Sequence, residues 1–422
     1  MSDDKVANRW VVLALLVSVY AVSAADRQLI SVLAEPIRKD LQLSDTQLGM
    51  LSGMLFAIFY TIFGMPFGWL ADRVQRFRMI AGICLFWSAC TAVTGFTVNF
   101  IQIALARVGV AVGESGASPA SYSLISDHFP PEGRGTAFGV YSIGFPMGAA
   151  LGTALAAWIA AHYGWRSAFF VMALPGVLFA LLLLLIPHPR RGRLDAAPAT
   201  PVAAPPFAEV LREFFARPIL WMTAIACAWI SLASYGFLVW MPSLLMRTKG
   251  MTMMEISSTY SLVSGVTQMA GAFAAGWLVD RWSRRTRAAY GLVPGIACLI
   301  AAPFSLAAVW APDWQSTLML MFVPFLMMVT WYPPALAVLQ NECRPETRAL
   351  MSGLFLTILG VIGTGGGPAL TGFLSDYFAA RDPATSLQWS LTCIVPFFVL
   401  SGICHLANAW MMGRRPAGAV AA

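Results

Sequence analysis

Twelve apolar runs recur along the 422-residue chain, each about the 20 residues that a helix needs to cross the hydrocarbon core of a bilayer. They begin near Trp10, Gln47, Met79, Asn99, Arg134, Ser167, Ile219, Ile256, Ala288, Thr317, Arg348 and Leu387. The expected fold is therefore an all-α membrane protein with twelve transmembrane helices. Composition agrees, with 58% apolar and 11% charged residues against roughly 45–50% and 25% in soluble domains.

Lys and Arg in short loops favour the cytoplasmic side. With both termini cytoplasmic, nineteen of the 27 Lys and Arg fall inside, six fall outside, and Arg27 and Arg107 lie within spans. The net charge of +7 is absorbed by the inside loops and calls for no nucleic-acid partner. Lys5, Arg9, an apolar run and "AVSAAD" have the form of a cleavable leader, but the regular alternation of later spans favours a retained first span. The seven cysteines show no disulfide or metal-ligand spacing and read as core. With no phosphate loop or metal cluster in view, neither a cofactor nor ATP-driven pumping is expected.

The chain repeats itself. "GWLADR" at Gly68–Arg73 returns as "GWLVDR" at Gly276–Arg281, 208 residues on, and "PPEGRG" returns as "RPETRA" after 214. The expected organisation is a six-helix bundle over residues 1–187, a cytoplasmic linker over 188–218 and a second six-helix bundle over 219–422. Parallel repeats of this kind are a transporter architecture, with the substrate site expected where the halves meet. The first part of the linker, rich in Pro, Ala and Arg, reads as disordered. Its end does not. Phe207, Val210, Leu211, Phe214 and Phe215 follow helical spacing, which predicts an amphipathic helix suited to the membrane interface or a simple lead-in to span 7.

The repeated "G-W-L-x-D-R" loop resembles the signature between helices 2 and 3 of major facilitator superfamily transporters. That resemblance implies a conformational lock at the cytoplasmic face, carried here by Gly68, Asp72, Arg73 and Arg76, and by Asp280 and Arg281. The loop's usual second glycine is replaced by Gln75 and, in the second copy, by Ser283. "ADRQLISVLAEPIRKDLQLSDTQLGMLSG", together with "ARVGVAVGESGASPA", is similar to the spinster branch of that superfamily. The branch has an Asp-Arg pair in helix 1 and a Gly-Glu in helix 4, and its animal relatives are linked with export of sphingolipid-type and lysophospholipid molecules. Anion symporters for hexuronates share both features.

Depth places the charges. Asp26 lies some sixteen residues into span 1 and Arg107 about eight into span 4, which runs the other way, so the two can meet. Glu114 is two turns further along the face of Arg107, near mid-membrane. An ionisable group there is expensive and marks function by default. Asp26 and Glu114 are thus the expected proton-responsive pair, with Arg27 and Arg107 as charge partners. The alternative is a permanent ion-pair cluster that packs helices 1 and 4, and Arg27 could instead snorkel to the interface.

The second half holds no ionisable group in mid-span. It can offer Tyr235, Trp240, Gln268, Trp331 and Tyr332 to a substrate, a lining suited to an amphiphile, although each could equally be packing. Two rival classes are weaker. "GESG" at 113–116 matches a serine-protease motif, but the four histidines fall at span ends or in loops. A channel would want a ring of charge or carbonyls rather than one lopsided cluster.

The reading is a non-enzymatic, alternating-access carrier of a bacterial inner membrane, expected as a monomer. Its expected partners are protons, membrane lipids and a small or lipid-like substrate, with an organic anion as the alternative.

Overall fold

A spanning helix must close its own backbone hydrogen bonds, because lipid offers no partner to a free amide or carbonyl. The computed structural model describes residues 7–71, 73–187, 207–343 and 347–414, and among them it has twelve helices long and apolar enough to cross a membrane. They are α1 (Arg9–Val32), α2 (Asp45–Ala71), α3 (Arg76–Thr94), α4 (Phe100–His128), α5 (Thr136–Tyr163) and α6 (Trp165–Leu184). The second six are α7 (Pro218–Thr248), α8 (Met253–Ser283), α9 (Ala289–Trp310), α10 (Trp314–Leu339), α11 (Leu350–Ala379) and α12 (Ser386–Gly413). Each begins within three residues of the start read from the sequence, and the described residues contain no strand.

By contacts the chain divides into two units. One joins Met1–Leu43, Leu55–Thr200 and Thr252–Gly265; the other joins Ser44–Met54, Pro201–Met251 and Val266–Ala422. The first turns of α2 thus belong with the second unit, and the first turns of α8 with the first.

Within the first unit, glycines of α5 admit α1. A Cβ at Gly144 would lie 2.8 Å from the Val17 carbonyl oxygen, one at Gly152 2.5 Å from the Ala25 Cα, and one at Gly148 would strike the Ala21 backbone. Both rows step by four residues, so small side chains on both helices allow the backbones to touch. The second unit repeats the arrangement, with Gly363 and Gly367 of α11 against Ser231 and Leu232 of α7.

The repeat extends to a feature that hydropathy does not reveal. α2 opens with a capping box between Ser44 and Gln47, and α8 opens with one between Thr252 and Glu255. Each box is followed by a π-helical turn, Met50–Met54 in α2 and Ile256–Tyr260 in α8. A third, Leu359–Gly365, occupies the glycine-rich stretch of α11. Pro146 sits inside the continuous helix Pro131–Tyr163. Two of the irregular turns, in α2 and α11, meet each other. A Cβ at Gly53 would lie 2.7 Å from the Gly365 carbonyl oxygen.

The linker stretch 188–206 lies outside the described residues. The end of the linker forms a helix, Phe207–Ala216, whose Val210 and Phe214 are fully buried while Phe215 is exposed. Protein rather than lipid therefore covers much of its apolar stripe. All seven cysteines are free thiols, four of them buried.

Candidate functional site

The charges found in the sequence converge in the first unit. α4 is interrupted at Gly116, with helix from Phe100 to Ser115 and again from Ala117 to His128. Pro119 has no amide to give the Ser115 carbonyl, which accounts for the break. Glu114 stands at this break with its side chain wholly buried. One carboxylate oxygen, Oε2, accepts from Arg27 Nε at 2.8 Å and from the Ser23 hydroxyl at 2.7 Å. The other, Oε1, has no hydrogen-bond partner.

Asp26 is equally buried but differently held. Its Oδ2 accepts from the Thr91 hydroxyl of α3 at 3.2 Å, and its Oδ1 has no hydrogen-bond partner. Arg107 does reach Asp26, yet through the backbone: Nη1 donates to the Asp26 carbonyl at 3.3 Å. Asp26 and Arg107 thus meet, through a guanidinium–carbonyl contact, while the Asp26 carboxylate takes the Thr91 hydroxyl of α3. Arg27 does not snorkel away from the cluster. It is the direct ion partner of Glu114 and is itself 24% exposed at the side chain.

Aromatic rings complete the cluster. The Arg27 guanidinium carbon lies 4.9 Å from the ring centre of Phe56 and 4.8 Å from that of Tyr60. That of Arg107 lies 4.7 Å from the same Phe56 ring. Such contacts stabilise a cation best where water is excluded. Ser23, Thr91, Phe56 and Tyr60 escaped the sequence reading. Ser23 had a findable signal, since it lies one turn before Arg27 on the same face of α1; a phenylalanine in an apolar span had none.

Two buried carboxylates and two guanidiniums, with one free oxygen on each acid, form a group whose hydrogen bonds depend on how many protons it holds. The sequence profile of the Major Facilitator Superfamily matches residues 16–368. The chain belongs to that superfamily.

An MFS-type efflux pump of Mycolicibacterium smegmatis is 31% identical over 402 residues, 95% of this chain and 92% of the relative. A hexuronate transporter of Bacillus subtilis is 25% identical over 391 residues, 90% of this chain and 91% of that one. Among solved structures, a bacterial homologue of the human lysosomal transporter Spinster, described as inward-facing and unoccupied, superposes with a TM-score of 0.86. It is 29% identical, with 97% of this chain and 99% of that one covered. This facilitator is accordingly an integral membrane transporter resembling spinster, and not an enzyme. Its Ser115, the protease-like serine, is buried and gives its hydroxyl to the Val112 carbonyl at 2.8 Å.

The signature loops of the facilitator are less uniform than their sequences. Asp72 lies outside the described residues, and Asp280 falls near the end of α8. Gly68 has open space where a Cβ would stand. Arg73 folds back on Trp69, donating to its carbonyl at 3.0 Å with the guanidinium 3.8 Å from the indole centre. Arg76 is fully buried and binds Asp127 and Ser123 at the end of α4. Arg281 is exposed.

The aromatic residues of the second half also divide. Trp240 is buried and gives its indole N–H to the Pro368 carbonyl at 3.0 Å, so it ties α7 to α11. Trp331 is buried edge-on against Tyr332, which is 42% exposed; Tyr235 and Gln268 are half-buried.

Proposed function

We propose that this facilitator is a proton-coupled secondary transporter of a bacterial inner membrane, with both termini cytoplasmic, and that it moves an amphiphilic lysolipid- or sphingolipid-like molecule. The observation that carries the proposal is Glu114: a wholly buried carboxylate with one oxygen on Arg27 and the other unpartnered. Protonating it removes the charge that holds Arg27 and Ser23, so proton binding can be exchanged for a change in helix contacts. Asp26 is the second member of the pair, and Arg107 restrains it through its backbone. The excess of Lys and Arg in one set of loops supports the orientation.

In this reading the transporter works as a monomer by alternating access. Asp72, Arg73, Arg76, Asp280 and Arg281 act at its lock loops, and Tyr235, Gln268, Trp331 and Tyr332 are the side chains offered to substrate. Trp240 would then support that lining from behind. The resemblance to the spinster branch, whose animal relatives are linked with lysophospholipid export, favours an amphiphile. A second reading, an organic-anion symporter, is favoured by the hexuronate transporter, alike over most of both chains.

The test is uptake of labelled lysophosphatidylcholine into proteoliposomes, with and without a proton gradient, for wild type and Glu114→Gln. Gradient-driven uptake lost in the variant is the expected result. Uptake by Glu114→Gln with an unaltered pH profile removes Glu114 from the coupling, and glucuronate uptake in place of lysolipid selects the second reading.

A further inference from the structure

Helix α2 is divided at its π-turn. Its first residues, Ser44–Met54, belong with the second unit, and the helix from Leu55 onward belongs with the first. The first turn is firmly held. Asp45 takes Arg247 in a bidentate ion pair at 2.7 and 2.9 Å and the Ser375 hydroxyl at 2.6 Å. Asp376 accepts from the Asp45 and Thr46 amides at 3.0 and 2.8 Å and from the Thr46 hydroxyl at 2.6 Å. Phe56 is the second residue after the π-turn, and its ring lies against both guanidiniums of the cluster, Arg27 and Arg107.

We propose that Phe56 is a positioning residue that links the anchored first turns of α2 to the charge cluster through the π-turn Met50–Met54. A π-turn holds one more residue than an α-turn, so its formation or loss rotates the rest of the helix by about 100° and shifts it by about 1.5 Å. That displacement would carry the Phe56 ring off Arg27 and Arg107. In the other direction, release of Arg27 from Glu114 frees the ring and lets the turn relax. The second half supplies the contrast. α8 has the same capping box and π-turn, but the residue in the place of Phe56 is Leu262, 63% exposed. The link is therefore confined to α2.

Arg27, Arg107 and Tyr60 face the Phe56 ring directly, and the other titratable groups of the cluster are Asp26 and Tyr20 from α1, Cys84 from α3, Glu114 from α4 and Tyr141 from α5. The inference rests on the proton reading of this cluster, and its test separates the two. Hydrogen exchange of the peptide Ser44–Met54 is followed from pH 5 to 8 in lipid nanodiscs, corrected for the intrinsic rate. The chains compared are wild type, Glu114→Gln, Phe56→Leu and Phe56→Trp, with Phe56→Met replacing the leucine variant should that one fail to insert.

Wild-type protection is expected to change with pH and to lose that change in Glu114→Gln. In Phe56→Leu, which keeps bulk but not the π face, the midpoint should move by about half a pH unit or more, and Phe56→Trp should restore it. A pH-dependent wild type matched by Phe56→Leu overturns the link and leaves the proton reading intact. Equal shifts in the leucine and tryptophan variants reduce Phe56 to packing. A flat wild-type profile overturns the link, and gradient-driven uptake by the same wild type then decides the proton reading separately.

Discussion

Asp45 and Arg247, 202 residues apart, are joined by two hydrogen bonds in a bidentate, mostly buried pair. Asp45 lies in the stretch that carries the spinster resemblance and Arg247 lies outside it, so the sequence marks one partner and not the pairing, which holds the first turn of α2 just after its Ser44 cap. Fork-on-carboxylate geometry is the strongest form of such a contact, and removing one charge takes that bidentate partner from the other in a place water hardly reaches. Asp45→Ala should therefore cost about 3–5 kcal/mol of local stability, read as faster hydrogen exchange in residues 44–54 and a lower thermal midpoint. The reversed pair, Asp45→Arg with Arg247→Asp, should recover part of it. Unchanged exchange in Asp45→Ala would mean that the Asp376 contacts anchor the turn alone.

Arg76 offers a second isolated test. The resemblance of its loop implies a lock, and its side chain binds Asp127 and Ser123 inside the first unit. Arg76→Ala should lower the thermal midpoint steeply, by about 3–5 kcal/mol equivalent, because a buried carboxylate loses its cation. Arg76→Ala combined with Asp127→Asn should cost less than Arg76→Ala alone. Additive losses in the double variant would show that the pair is not energetically coupled.

Two glycines make a matched pair of opposite sign. Gly148→Ala drives a methyl into the Ala21 backbone, whereas Gly68→Ala meets nothing within 4 Å. The first should destabilise by about 1–3 kcal/mol through overpacking. The second should gain up to about 1 kcal/mol, because alanine loses less freedom in a helix. Thermal unfolding in one detergent decides both. A Gly68→Ala protein that is stable yet inactive would assign that glycine to a close approach made during transport.

Much of this was legible in the sequence because it is local. A run of about 20 apolar residues must span, whatever its neighbours, and so all twelve starts were found to within three residues. Asp26, Arg27, Arg107 and Glu114 stood out for the same reason: charge in an apolar run is visible without a fold. Which charge meets which was not local. It depends on the rotation of α1 and α4 about their axes, and a turn of a few tens of degrees decides whether Arg107 finds the Asp26 carboxylate or its carbonyl.

The π-turns, the use of Phe56 by two guanidiniums and the anchoring of Asp45 leave no mark in composition or periodicity. They arise where helices from distant parts of the chain press together, as Gly53 does on Gly365. The sequence by itself determined how many helices there are, where they start and which charges stand in mid-span. Only the tertiary structure decided their partners, because hydrogen bonds and ring contacts between helices are fixed by axial rotation and close approach, and neither is written into a single helix.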